Sequence, residues 1–111
     1  MRISYMGDPP YATVSTTGTY LDIQMNGKLY EIDCRERQKT IPVHIDVVLN
    51  ADGSLGEDIA HGMDYVANID IPAAIISYDE ETGEAHQQDF TPSDFDKVRV
   101  VLWTIISGTG E

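Results

Sequence analysis

Asn26-Gly27 is the point at which this chain is most tightly constrained. Two segments that alternate apolar and polar residues flank it, Tyr20 to Met25 and Lys28 to Cys34. Asn-Gly tolerates the positive φ angles of a type I′ turn, whose twist matches that of the strands it joins. A two-residue turn here sets Ile23 opposite Tyr30 and Leu21 opposite Ile32. These side chains share one face with Cys34, while Asp22, Gln24, Glu31 and Asp33 take the other. A slip of one residue would move the whole apolar set to the opposite face. Turn chemistry and alternation therefore specify the same hairpin.

Period two dominates the rest of the chain, which argues for strands. In Ile41 to Leu49, the residues Ile41, Val43, Ile45, Val47 and Leu49 point one way, and Pro42 marks an edge or a strand start. Asn50-Ala51-Asp52-Gly53 reads as a turn. Ser54 and Glu57 then have the spacing of a capping box, and Leu55, Ile59, Met63 and Val66 follow at helical intervals. A short helix over 55–66 is expected, weakened by Gly56 and Gly62 at about 1 kcal/mol each.

Further strands are expected over Tyr65 to Ile71, Ala73 to Tyr78, Ala85 to Phe90 and Val98 to Ile106, the last as a central strand covered on both faces. Arg2 to Met6 and Tyr11 to Thr17 are weaker strand candidates. Asp79 to Glu84 reads as an exposed loop. Thr91-Pro92-Ser93-Asp94 reads as a cap with Pro at the first helical position, and the end from Ser107 to Glu111 as frayed. No repeat or linker divides the chain. The expectation is a single mainly-β domain over residues 1–111, an antiparallel sandwich or barrel of about seven strands with one short helix.

Composition narrows the function. The 111 residues carry 7 Lys+Arg and 19 Asp+Glu, a net charge of -12. A duplex-binding surface must neutralise phosphates with Lys and Arg, so direct nucleic-acid binding is not expected. No apolar run reaches the roughly 18 residues of a membrane span, and Met1-Arg2-Ile3-Ser4-Tyr5 lacks the apolar core of a secretory leader. With Cys34 as the one cysteine, no internal disulfide forms, and the cytoplasm is the expected compartment. The charge is regional: residues 1–50 hold 6 acids and 5 bases, residues 51–111 hold 13 acids and 2 bases.

Few residues suggest chemistry. On a helix, Glu57, Asp58, His61 and Asp64 would share a face and could hold a divalent ion, but a solvated face opposite Leu55, Ile59 and Met63 is the simpler reading. Asn50, Asp52, Ser54 and Glu57 do not fit the calcium-loop spacing, because a loop starting at Asp46 has Ala51 where glycine is required. Cys34 beside His44, His61 or His86 would make a nucleophilic pair, yet a lone cysteine on an inward face is ordinarily a small core residue. No GxSxG elbow, P-loop or GxGxxG is present. No metal, cofactor or catalytic residue is expected. Arg35-Glu36-Arg37-Gln38-Lys39, the sole basic cluster, reads as a mixed-charge loop that could also meet the chain's own acidic half.

The acidic residues remain. Asp79, Glu80, Glu81, Glu84 and Asp89 form one run and Asp94 with Asp96 another, with Tyr78, Phe90, Phe95 and Trp103 nearby as contact anchors or core residues. Carboxylates held on a rigid sheet imitate a phosphate backbone. The expected function is a non-catalytic binding or inhibitor protein, a nucleic-acid mimic whose acidic face docks on a basic, nucleic-acid-binding surface of a partner. In size, charge and lack of catalytic motifs the chain is similar in style to phage-encoded anti-defence proteins such as the anti-CRISPR proteins. The alternative is an assembly subunit, for example of a phage particle, that pairs through open strand edges as a small homo-oligomer.

Overall fold

A computed structural model of the chain describes residues 1–59 and 62–105. In chain order the strands are β1 (Arg2–Met6), β2 (Thr13–Thr17), β3 (Tyr20–Met25), β4 (Lys28–Asp33), β5 (Val43–Asn50), β6 (Leu55–Gly56), β7 (Gly62–Ile71), β8 (Ile76–Tyr78), β9 (Ala85–Gln87) and β10 (Arg99–Trp103). One helical turn, α1 (Cys34–Arg37), follows β4, and a 3-10 helix over Pro92–Lys97 precedes β10. The protein is mainly β, as the periodicity implies, with more strands than expected, several of them shorter, though β7 begins three residues earlier.

The strands form three sheets. Five run in the order β1-β10-β7-β5-β6, three in the order β2-β3-β4, and β8 pairs with β9 alone. One core cluster joins Leu21, Ile23, Met25 and Ile32 of the three-stranded sheet to Ile45, Val47, Ala67, Ile69, Ile71, Val100 and Leu102 of the five-stranded one. The two sheets therefore pack face to face, and no barrel closes. The hairpin has the register set by its turn: Ile23 lies opposite Tyr30 and Leu21 opposite Ile32. Asn26 and Gly27 take φ of 50° and 78°.

Four expectations are corrected. The helix over 55–66 does not form. The Ser54 hydroxyl donates to Asp52 Oδ1 (2.6 Å), and Glu57 is taken by Tyr30 and Arg37, so both members of the supposed capping box are engaged elsewhere. The Asn50–Gly53 turn instead returns Leu55–Gly56 onto β5, opposite Leu49 and Val48. The basic segment is not simply a loop. Asp33 caps α1 by accepting from Arg35 N (3.1 Å), a local signal the alternation of β4 obscures. The main sheet is not wholly antiparallel, because β1 runs parallel to β10. Parallel neighbours need a long connection, and here nearly the whole chain lies between them. Lastly, β10 is central but unequally covered: Val100 and Leu102 are buried, Val101 and Trp103 half-buried.

Alternation is right in sense but is interrupted where the backbone is irregular. The β5–β7 register breaks after Val47, which faces Ala67, so that Val48 faces Tyr65 and Val66 is the extra residue of a bulge. Val66 consequently joins the core against its parity, while Val48, opposite Tyr65, is buried outside that core cluster. Strand β5 begins at Val43, after Pro42, and Ile41 is left 68% exposed. Ile106 and the end from Ser107 to Glu111 lie outside the described residues.

Candidate interaction surface

Between Lys39 and Lys97 the sequence has no Lys or Arg and thirteen Asp and Glu. The structure deals with these acids in two ways. Some are consumed internally, and one group is presented outward.

The outward group is the β8–β9 hairpin. Ile76, Ser77 and Tyr78 pair with Gln87, His86 and Ala85, and every residue from Ser77 to Asp89 is exposed. Its loop is ordered by its own first residue: the Asp79 carboxylate accepts from Glu81 N (2.8 Å) and Thr82 N (3.2 Å), while Asp79 N donates to Glu84 O (2.9 Å). Gly83 closes the loop at φ +72°. Asp79, Glu80, Glu81 and Glu84 thus lie together on one tip, with Tyr78 70% exposed beside them. Glu84 lies 3.7 Å from His86 Nε2.

A two-stranded hairpin is marginal in water by itself, and this one is fixed at its base. Ala74 N donates to Lys39 O (2.8 Å), buried Gln38 donates through Nε2 to Pro72 O (3.0 Å), and Gln87 Nε2 donates to Gln38 O (3.3 Å). Arg35 pairs with Asp89 at 2.9 Å. A groove at this base is lined by Gln38, Ile75, Gln88, Asp89, Asp94 and Lys97 among others, which brings Asp89 and Asp94 together. Asp94 accepts from Thr91 N (2.8 Å) and caps the 3-10 helix, on which Asp96 is exposed. The predicted contact residues therefore separate: four at the tip of the arm, Asp89 and Asp94 at its base with structural partners, and Asp96 nearby on the 3-10 helix. Phe90 and Phe95 are core residues in edge-to-face contact at 4.9 Å, which leaves Tyr78 as the exposed aromatic of the arm.

No protein-family model matches this chain, and no curated protein or solved structure is significantly similar to it. Its function is therefore read from the arrangement of its own residues.

Several of the other acids have internal roles. Glu57 Oε2 accepts from both Tyr30 and Arg37, joining β4, α1 and the segment after β6. Burial first, and then the bond to Glu57, push the Tyr30 phenol up to about 12. On the outer face of the five-stranded sheet, His44 lies between Asp70 (Nδ1 to Oδ1, 2.6 Å) and Asp46 (Nε2 to Oδ1, 2.6 Å). Asn68 Nδ2 donates to the same Asp46 oxygen (2.8 Å), and Trp103 Nε1 donates to Asn68 Oδ1 (2.5 Å). Trp103 also stacks on Tyr65, centroids 5.6 Å apart. The Asp70 bond chiefly raises the His44 pKa above its ordinary value, with Asp46 adding to it and desolvation opposing. Sequence reading missed this network, although His44, Asp46, Asn68 and Asp70 share a parity on two strands that β-pairing could bring together.

Cys34 is fully buried, and burial, helped by the charge of Asp33, pushes its thiol up to about 12. That is opposite to the lowered value of a reactive thiolate. The expected helical face of Glu57, Asp58, His61 and Asp64 is replaced by loop and strand, and His61 lies outside the described residues. Among the described residues no three His, Cys, Asp or Glu side chains are placed to hold a metal ion, and no helix is long and apolar enough to cross a membrane.

Proposed function

We propose that this protein is a non-catalytic binding or inhibitor protein that docks on a basic, nucleic-acid-binding surface of a partner protein. The single observation that carries this reading is the β8–β9 arm. It holds four carboxylates at a turn ordered by its own hydrogen bonds, with no base between Lys39 and Lys97 and the exposed Tyr78 alongside.

Like charges held close repel one another, and nothing in a solubility role requires concentrating them on a projecting loop. A pre-ordered loop loses little conformational entropy on binding, and its field raises the rate of encounter with a positive surface. Asp89, Asp94 and Asp96 extend the same surface to the arm's base. A phage-encoded anti-defence role, in the cytoplasm, is the most specific form of this reading.

The test is affinity capture from the native host at low salt, then binding measurements with the purified partner. Replacing Asp79 with asparagine and Glu80, Glu81 and Glu84 with glutamine removes the charge, while the amide oxygen introduced by Asp79→Asn keeps the acceptor that orders the loop. Affinity is expected to fall about tenfold or more, and raised salt to weaken the parent complex similarly. A partner that binds the neutralised variant equally well at low salt would overturn the reading.

A further inference from the structure

We infer that β1 is a self-pairing edge through which two copies of this chain join their five-stranded sheets into one. Strand β1 terminates that sheet, with β10 on one side and, among the described residues, no strand on the other. All five of its residues are exposed. Natural edges are guarded by Lys, Pro, bulges or brevity. At the opposite edge the two-residue β6 covers only Val48 and Leu49, and the rest of β5 follows Pro42 and carries His44 and Asp46, whereas β1 is a regular five-residue strand carrying Ile3 (38% exposed), Tyr5 (56%) and Met6 (47%).

The direction of its backbone groups is set by its one neighbour. Arg2 N donates to Val98 O (2.9 Å) and Met6 O accepts from Thr104 N (3.0 Å), so Arg2, Ser4 and Met6 turn their polar groups toward β10. By alternation, the N–H and C=O of Ile3 and Tyr5 point out of the open edge. Their side chains lie in register with Val100 and Leu102, both in the core, so the apolar face of the sheet continues onto β1, where Tyr11 packs on Tyr5 (centroids 4.7 Å) yet leaves Ile3 and Tyr5 exposed.

A second copy fits this edge. Antiparallel pairing about a two-fold axis at Ser4 sets Ile3 opposite Tyr5 of the copy, and Tyr5 opposite Ile3. These are the residues with outward donors and acceptors, so each pair exchanges two hydrogen bonds. Arg2 faces Met6 of the copy rather than Arg2, beside the turn that leads to Asp8 of that copy. The only charge within β1 is therefore set near an opposite charge, and residues 1–7 bring no carboxylate to the contact of a chain whose net charge is -12. The interface is isologous, as a closed dimer requires.

Sedimentation equilibrium of the full chain across a concentration series tests this. The expected result is a reversible dimer. Ile3→Pro removes one outward donor while leaving the bonds of Arg2, Ser4 and Met6 to β10, and Ile3→Lys guards the edge with charge. Both variants should keep the parent circular dichroism spectrum and shift the equilibrium at least tenfold toward monomer. A parent that is monomeric throughout, or that associates through other surfaces so that both folded variants dimerise as before, would overturn the inference. Failure here leaves the arm's partner binding untouched, because that is read separately with the tip variants.

Discussion

His44 shows how pairing turns an ordinary side chain into an electrostatic element. As imidazolium it donates from both ring nitrogens, to Asp70 and to Asp46. The folded-state pKa lies above the ordinary value, so the folded protein holds this proton more tightly than the unfolded chain. Its stabilising contribution is then complete below about pH 6.5 and is lost as pH rises through the higher folded value. Urea midpoints measured across that window should fall with pH in the parent more steeply than in His44→Gln. The effect should shrink with added salt, because the ring is half exposed. Equal slopes in the two proteins would contradict the pairing. Cys34, by contrast, is as a single-residue reading suggests: a small apolar side chain in the core.

At the level of elements, the hairpin and the supposed helix over 55–66 make an instructive pair. Both carry local signals, the helix's already weakened by Gly56 and Gly62. In the hairpin, turn and alternation act on the same contacts, so nothing elsewhere competes with them. In 54–57, the two residues that would cap a helix each have a stronger bond available, Ser54 to Asp52 and Glu57 to Tyr30 and Arg37. The turn chemistry itself can be weighed. Gly27 is at φ +78° and an added Cβ meets nothing within 4 Å, so Gly27→Ala isolates the conformational cost. The variant should lose about 1–2 kcal/mol in urea denaturation with its strand register intact. The 3-10 helix was legible from Thr91 and Pro92 for the same reason as the hairpin, since its capping box closes within six residues.

On the scale of the whole molecule, Glu57 fastens the two layers together. Its carboxylate collects Tyr30 from the three-stranded sheet and Arg37 from α1, while its own segment continues from β6 of the other sheet. Glu57→Ala leaves a partly buried hydroxyl and guanidinium without their acceptor and should cost about 1–3 kcal/mol of stability, with Glu57→Gln recovering part of it. A loss-free Glu57→Ala, measured by urea midpoint, would show that the layers hold without this contact. The basic segment is likewise turned inward: Arg35 and Arg37 pair with Asp89 and Glu57 of the chain's own acidic half. Of the acids left after this pairing, four stand together at the tip of the arm, and β1, the proposed self-pairing edge, carries none.

Sequence alone determined the mainly-β class, the hairpin and its register, the last short helix and the regional acidity. Each depends on neighbours in the chain or on counting, and local chemistry is enough for that. Tertiary structure decided the two-layer packing, the parallel place of β1, the bulge that turns Val66 into the core, and the His44 network. It also separated carboxylates with internal partners from those of the arm. These outcomes depend on which distant groups reach one another, and a hydrogen bond or ion pair between residues 20 to 54 positions apart leaves no periodic trace in the sequence.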